Sequence, residues 1–190
     1  MTRAARTGWI LAGLLLLAGG TLQAAAHRST FSATVDRWPY QVGAWATVAG
    51  GCGLAVLAAR WFDTVGSIPA AVAAAGSALL AALAFSEASV NPALVDAAPK
   101  LLDDRPGTTM LVGLGIATVG FAVGWVVFGI ALLRRSGRSA PAIAVLVAAV
   151  LSLVPMIPGP AVLGLTLVWL ATSSVAAPDL AEGARPRAPA

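Results

Sequence analysis

The run Met110–Leu133, MLVGLGIATVGFAVGWVVFGIALL, decides the fold, because its 24 residues carry no charge and it ends at Arg134 and Arg135. The hydrocarbon core of a bilayer is about 30 Å thick, and an α-helix rises about 1.5 Å per residue. A helix of this length therefore crosses the core with residues to spare. We predict that this run is the central helix of a membrane bundle.

Small residues recur at helical spacing in this run and in a second apolar run, where they share one stripe of a helix. They are Gly113, Ala117, Gly120 and Gly124 in the first run and Gly50 and Gly53 in the second. Because close approach of helix backbones drives packing in lipid, we predict that these stripes lie against neighbouring helices.

Composition places the whole chain in the membrane class. The residues AVILMFWYC make up 58% of the chain and charged residues 11%, whereas an ordinary soluble domain has about 25% charged residues. We therefore predict an all-α protein, a polytopic bundle of six transmembrane helices. The predicted spans are residues 8–26, 42–59, 68–85, 110–133, 140–154 and 161–176. They form one domain, residues 1–177, followed by a proline-rich cytoplasmic tail, residues 178–190, that we expect to be disordered.

The first predicted span also fits a secretory signal peptide. Arg3 and Arg6 precede the apolar run, and Ala24–Ala26 satisfies the A-x-A pattern of a cleavage site. The run Gly8–Ala26 is nevertheless long enough to cross a bilayer, and further spans follow. Retention as a helix is our interpretation, and cleavage is the alternative.

The longest polar stretch, residues 86–109, contains a short amphipathic pattern. The apolar positions that share one helix face are Leu94, Val95, Ala98, Leu101 and Leu102. The pattern is too short to span a bilayer, so we predict a short external amphipathic helix that lies along the membrane surface or caps the bundle.

The distribution of basic residues predicts the orientation. With the amino terminus inside, eight arginines fall on the internal side and four basic residues on the external side. The internal ones are Arg3, Arg6, Arg60, Arg134, Arg135, Arg138, Arg185 and Arg187, and the external ones are Arg28, Arg37, Lys100 and Arg105. The positive-inside rule thus places both termini in the cytoplasm, with the protein in the plasma (inner) membrane.

Several chemistries are missing from the sequence. The six predicted spans contain no charged residue, which argues against an ion-coupled transporter acting alone. His27 is the single histidine and Cys52 the single cysteine, so one chain lacks the ligands for a His-rich metal site or a pair of haem ligands. We predict no cofactor and no metal. Because the basic residues lie at segment ends rather than on one face, we also predict no nucleic-acid partner.

Two candidate sites remain. Trp45, Trp125 and Trp169 lie inside predicted spans, where their indole N–H groups need partners, so we expect them to point into the bundle. Core packing is the simpler interpretation, and a cavity for a lipophilic molecule is the alternative.

The second candidate is an external polar site. Its members are His27, Asp36, Glu87, Asp103 and Asp104. Carboxylates in different environments can divide acid and base roles, with a histidine as base. The simpler interpretation is that these are solvated loop residues, and no catalytic residue is assigned.

The pattern of segments in Pro92–Arg105, Gly124–Gly137 and Pro155–Pro160 supports a family resemblance. A long external segment precedes a fourth helix that ends in a basic turn, and a proline–glycine turn separates the last two helices. This pattern resembles the small six-helix integral membrane proteins of unknown function found in actinobacteria and related bacteria. The resemblance implies a fold and no activity.

Three functions stay open. The first is a non-catalytic accessory, regulatory or immunity-type subunit that acts through helix contacts with a membrane partner or a second copy. The second is a carrier or permease subunit for an apolar or amphipathic small molecule. The third is an enzyme at the external carboxylate and histidine site.

Overall fold

The computed structural model describes residues 2–103, 108–136, 139–154 and 159–173, and it is all-α, as predicted. Within those residues the chain forms nine helices. They are α1 (Arg3–Ala26), α2 (Phe31–Val35), α3 (Trp38–Ala59), α4 (Phe62–Val65), α5 (Ser67–Ala97), α6 (Lys100–Asp103), α7 (Thr108–Ser136), α8 (Ala140–Leu151) and α9 (Gly159–Thr172).

Four of these helices are long and apolar enough to cross a membrane. They are α1, α3, α5 and the part of α7 from Val112 to Ser136. The prediction of several membrane-crossing helices is confirmed to that extent. The fifth and sixth predicted spans correspond to α8 and α9, whose 12 and 14 residues give lengths of about 18 and 21 Å. These lengths fall short of a core that is about 30 Å thick.

The six apolar helices form a closed ring in chain order. Each of α1, α3, α5, α7, α8 and α9 packs on the next, and α9 packs back on α1. Short connections favour packing between helices that are consecutive in the chain, because a helix that follows a short turn runs antiparallel to the helix before it and lies beside it.

Glycine allows the closest approaches in this ring. A Cβ atom added to Gly124 of α7 would lie 2.7 Å from the carbonyl oxygen of Val72 on α5. One added to Gly13 of α1 would lie 2.6 Å from the carbonyl oxygen of Gly164 on α9. Real Cβ atoms do not approach an oxygen so closely, so these two helix pairs require glycine where it stands.

The predicted amphipathic segment is divided between two helices, because Leu94 and Val95 belong to α5, which continues without a break to Ala97, and Leu101 and Leu102 belong to the short helix α6. Residues 86–97 include three alanines and one leucine, which favour a helix, and Pro92 removes one backbone donor without ending the helix. At 31 residues, α5 is about 46 Å long and exceeds the thickness of the hydrocarbon core by about 16 Å.

Two short helices cover this end of α5. Val35 of α2 and Tyr40 of α3 are buried together with Ala26, and Val95 of α5 packs on them. The Asp103 carboxylate of α6 accepts hydrogen bonds from Ser32 of α2. We call this end of the bundle, which holds α2 and α6, the cap end. The opposite end, which holds Arg134 and Arg135, is the arginine end.

An aromatic cluster fills the centre of the ring. Trp125 is fully buried, and its ring centroid lies 6.0 Å from that of Trp9 and 5.1 Å from that of Phe128. Its indole Nε1–H donates to Ser77 Oγ at 3.1 Å, so the buried N–H has a partner. Trp9 Nε1 is buried without a hydrogen-bond partner among the described residues.

Candidate ligand-binding site

A cavity of about 410 Å³ lies between the helices near the cap end. Small-molecule sites have volumes of about 300–1,000 Å³, so this cavity has the size of a binding site. Its described wall is largely apolar and includes Leu80, Leu83, Leu114 and Phe121. The polar side chains on the same wall are Gln23, Thr47, Glu87, Thr118 and Ser152.

Glu87 is the charged residue of this wall. Its Oε2 accepts a hydrogen bond of 2.8 Å from Gln23 Nε2. Glu87 follows Leu80 and Ala84 by seven and three residues on α5, a spacing that places all three on one face of the helix, and all three line the cavity. Since α3 stands between α1 and α5 in the ring, the Gln23–Glu87 bond links two helices across a third.

Two further polar side chains lie close to Glu87. Asn91 follows one turn later on α5 and is buried, and Tyr40 of α3 is buried near both Glu87 and Asn91. The Tyr40 side chain is 5% exposed, and its hydroxyl has no hydrogen-bond partner in the described part of the chain. A buried hydroxyl without a partner costs free energy, so a group outside these residues would gain by bonding to it.

Two hydroxyl groups on the cavity wall already donate their hydrogens to the backbone. Thr47 Oγ1 donates to the Gly43 carbonyl oxygen at 3.0 Å, and Ser152 Oγ donates to the Ala149 carbonyl oxygen at 2.6 Å. Each hydroxyl has one hydrogen, so what it can still offer the cavity is acceptor lone pairs.

The predicted external polar site is not assembled as a unit. His27, Asp36 and Asp103 are exposed, whereas Glu87 lines the cavity, and Asp104 lies outside the described residues. Asp103 accepts bonds from the Ser32 hydroxyl at 2.6 Å and the Ser32 backbone N–H at 2.8 Å, and these bonds lower the pKa of its carboxyl group. Within the described ranges, no group of three or more His, Cys, Asp and Glu side chains is arranged to hold a metal ion.

The three tryptophans proposed to line a cavity do not lie together. Trp125 belongs to the aromatic cluster, while Trp45 and Trp169 are about half exposed on the outer surface of the bundle. Trp45 packs on Phe85, which is also exposed, with ring centroids 5.8 Å apart. None of the three lines the cavity near the cap end, as far as its described wall extends.

The small residues predicted to pack lie mostly between helices of the chain itself. A Cβ atom added to Gly50 would lie 2.9 Å from Leu16 on α1, and one added to Gly120 would lie 2.8 Å from Leu79 on α5. Gly53 and Gly124 also face a neighbouring helix closely, and Ala117 is buried. Gly113 differs, because an added Cβ would meet no described atom within 4 Å.

A second cavity, of about 530 Å³, lies at the arginine end and is more open. Arg135 Nη1 donates to the backbone carbonyl oxygen of Asp63 at 3.1 Å across it. Its charged residues Asp63, Arg134 and Arg135 are all exposed. Exposed arginines are common at the ends of helices long and apolar enough to cross a membrane and need no ligand to explain them, so this cavity is the weaker candidate.

Sequence reasoning missed Glu87 and Gln23 as a pair. It assigned Glu87 to an external polar stretch because the apolar run stops near Phe85. The available signal was the spacing of Glu87 from Ala84 and Leu80, which continues the inward face of the helix. No residue spacing within one segment could have indicated that Gln23, 64 positions earlier, is its partner.

No protein-family model, curated protein or solved structure matches this chain. The geometry of the chain itself is therefore the ground for assigning a function.

Proposed function

We propose that the chain is a plasma-membrane protein that binds an amphipathic small molecule in the cavity near the cap end, and that it acts by binding rather than by catalysis. In this proposal six helices cross the membrane, both termini are cytoplasmic and the cap end faces outward. The packing of α8 and α9 as full members of the ring supports six crossings, and the excess of arginine on the internal side supports the orientation.

The observation that carries the proposal is Glu87 on the wall of an apolar cavity. An ionisable group is costly in a membrane protein interior, and such groups usually mark a ligand or transport site. Most of the surrounding wall is aliphatic or aromatic. A molecule with one polar end and an apolar body matches both parts of this surface.

The structure gives the enzyme alternative less support. A histidine base must come within hydrogen-bond reach of the acid or the substrate that it serves. His27 is exposed in the turn after α1, and it is not among the residues that line the cavity with Glu87. The resemblance to small six-helix membrane proteins stays a prediction and implies no activity.

Filling the cavity tests the proposal. Leu114 lines the cavity, while Ile116 on the same helix is 58% exposed and lies away from it. We expect members of a panel of amphipathic compounds to raise the melting temperature of the purified protein. We expect Leu114→Trp to abolish this rise and Ile116→Trp to preserve it. If no compound stabilises the wild-type protein, or if Leu114→Trp responds as the wild type does, the proposal is wrong.

An accessory role through helix contacts is the second candidate. Most of the small-residue faces that suggested it are used inside the ring. One shallow groove between α1 and α3, lined by Gly8, Cys52 and Gly53, remains open to the outside, and Cys52 is exposed in it. A cysteine-directed crosslinker applied to native membranes should capture a partner at Cys52, but not at a cysteine moved to Val123 in a Cys52→Ser background. Absence of a Cys52 adduct would remove this candidate.

A further inference from the structure

We infer that the molecule bound beside Glu87 carries a protonated amine with N–H donors on an apolar body. This inference rests on the proposed function, since it names the chemical class of the ligand for the same cavity.

The Glu87 carboxylate lacks a cationic partner among its described hydrogen-bond donors. Gln23 Nε2 donates to Oε2, and a neutral amide does not balance a negative charge. An ionised carboxylate away from bulk water is stable only when it is paired with a cation or receives several hydrogen bonds. A ligand cation would supply the missing charge.

Three other polar side chains of the described wall, Thr47, Ser152 and Gln23, offer acceptors to a ligand. Thr47 and Ser152 have donated their hydrogens to backbone carbonyls, so their oxygen lone pairs remain. Gln23 uses one of its two amide N–H groups on Glu87 and keeps the second N–H and its carbonyl oxygen. The Tyr40 hydroxyl is buried near Glu87 outside the described wall of the cavity, has no partner in the described residues, and can donate or accept.

A set of acceptors around one carboxylate selects among cations. A primary ammonium group has three N–H donors and can satisfy the carboxylate and the neighbouring oxygens at once. A quaternary ammonium group has the same charge but no donor, and it would leave the acceptors unpaired. A neutral alcohol has one donor and no charge. The expected order of affinity is therefore amine, then quaternary ammonium, then alcohol.

Direct binding measurements on the full chain in lipid nanodiscs test this order. The probes are dodecylamine, dodecyltrimethylammonium and dodecanol, which share one alkyl chain. Nanodiscs without protein give the background for partition into lipid. We expect dodecylamine to bind at least about tenfold more tightly than the other two probes, because it alone pairs the half-buried Glu87 carboxylate through hydrogen bonds.

Two variants locate the recognition. Glu87→Gln keeps the shape of the side chain and removes the charge, so it should weaken dodecylamine binding at least about tenfold and leave dodecanol binding unchanged. Asp96→Asn is the matched control, because Asp96 is an exposed carboxylate on the same helix outside the cavity. It should bind dodecylamine as the wild type does.

The outcomes separate the two proposals. Binding of all three probes with equal affinity, or dodecylamine binding that is unchanged in Glu87→Gln, would overturn the amine inference and leave the binding function in place. If none of the probes nor any compound of the wider amphipathic panel binds the wild-type protein, the proposed function itself fails. The comparison of probes on the wild type decides the inference even if Glu87→Gln does not fold.

Discussion

At the scale of single residues, the structure shows how one buried donor in the centre of the bundle, the Trp125 N–H, is satisfied. The Trp125 indole is fully buried, and it donates to Ser77 Oγ, which in turn donates to the Ala73 carbonyl oxygen. This short chain of bonds joins α7 to α5 without leaving the Trp125 donor unsatisfied. Each of its members is satisfied by a named neighbour, which is the condition for a stable buried polar group.

Removing the Ser77 hydroxyl tests this bond. We expect Ser77→Ala to lower the free energy of unfolding by about 1–3 kcal/mol, because it leaves the Trp125 N–H unpaired in the core. Ser89→Ala is the control, since Ser89 makes the same bond to its own helix, with Phe85, and does not bond a tryptophan. Unfolding in a mixed-micelle denaturant titration measures both, and equal losses would contradict the expectation.

The residue scale also shows where sequence reasoning stops. The position of Trp125 in an apolar run predicts that its N–H needs a hydrogen-bond partner. The sequence does not predict that this partner is Ser77. Glu87 was recognised as a polar candidate, yet its placement beside Gln23 depends on how α1, α3 and α5 pack. Periodicity describes one helix at a time, whereas a site built between helices depends on their relative rotation.

At the scale of helices, hydropathy located the apolar cores of the segments better than their ends. The predicted runs 8–26 and 110–133 lie within α1 and α7. The run 68–85 lies within α5, which extends twelve residues further, to Ala97. Hydropathy indicates where the apolar part of a segment ends. The helix itself continues for as long as its backbone hydrogen bonds are uninterrupted and its residues favour the helical conformation.

Glycine substitutions on α7 test the packing of one helix pair. Gly124→Ala places a methyl group against the Val72 carbonyl oxygen of α5, so we expect a loss of about 1–3 kcal/mol in stability. Gly113→Ala on the same helix is the control, because an added Cβ there meets no described atom within 4 Å. Alanine favours a helix more than glycine does, so the control should be unchanged or slightly more stable. Thermal unfolding in detergent would show the opposite responses, and a loss at both sites would contradict this account.

At the scale of the whole molecule, the two ends of the bundle differ in character. The arginine end presents Arg134 and Arg135 to the surroundings, whereas the cap end is covered by α2 and α6. Glu87 stands 20 residues along α5 from Ser67, about 30 Å, which is the thickness of the hydrocarbon core. In the proposed orientation the cavity therefore opens close to the outer surface of the membrane.

Cysteine labelling in intact cells tests that orientation. In a Cys52→Ser background, a cysteine at Ser29 of the cap end should react with a membrane-impermeant maleimide. One at Ser136 of the arginine end should react only after the membrane is permeabilised. Both positions are exposed, so a difference in labelling reports the side of the membrane on which each position lies. The reverse pattern would invert the proposed topology.

The packing of α9 on α1 has a consequence for how the protein is made. Of the described helices, α1 is synthesised first and α9 last. The surface of α1 that packs on Gly164 of α9 in the folded protein therefore has no packing partner during most of translation. Until α9 is made, the growing chain is an open arc in which the face of α1 that packs on α9 has no partner within the chain. The ring therefore cannot close before α9 has been synthesised, and a chain released earlier would leave that face of α1 uncovered.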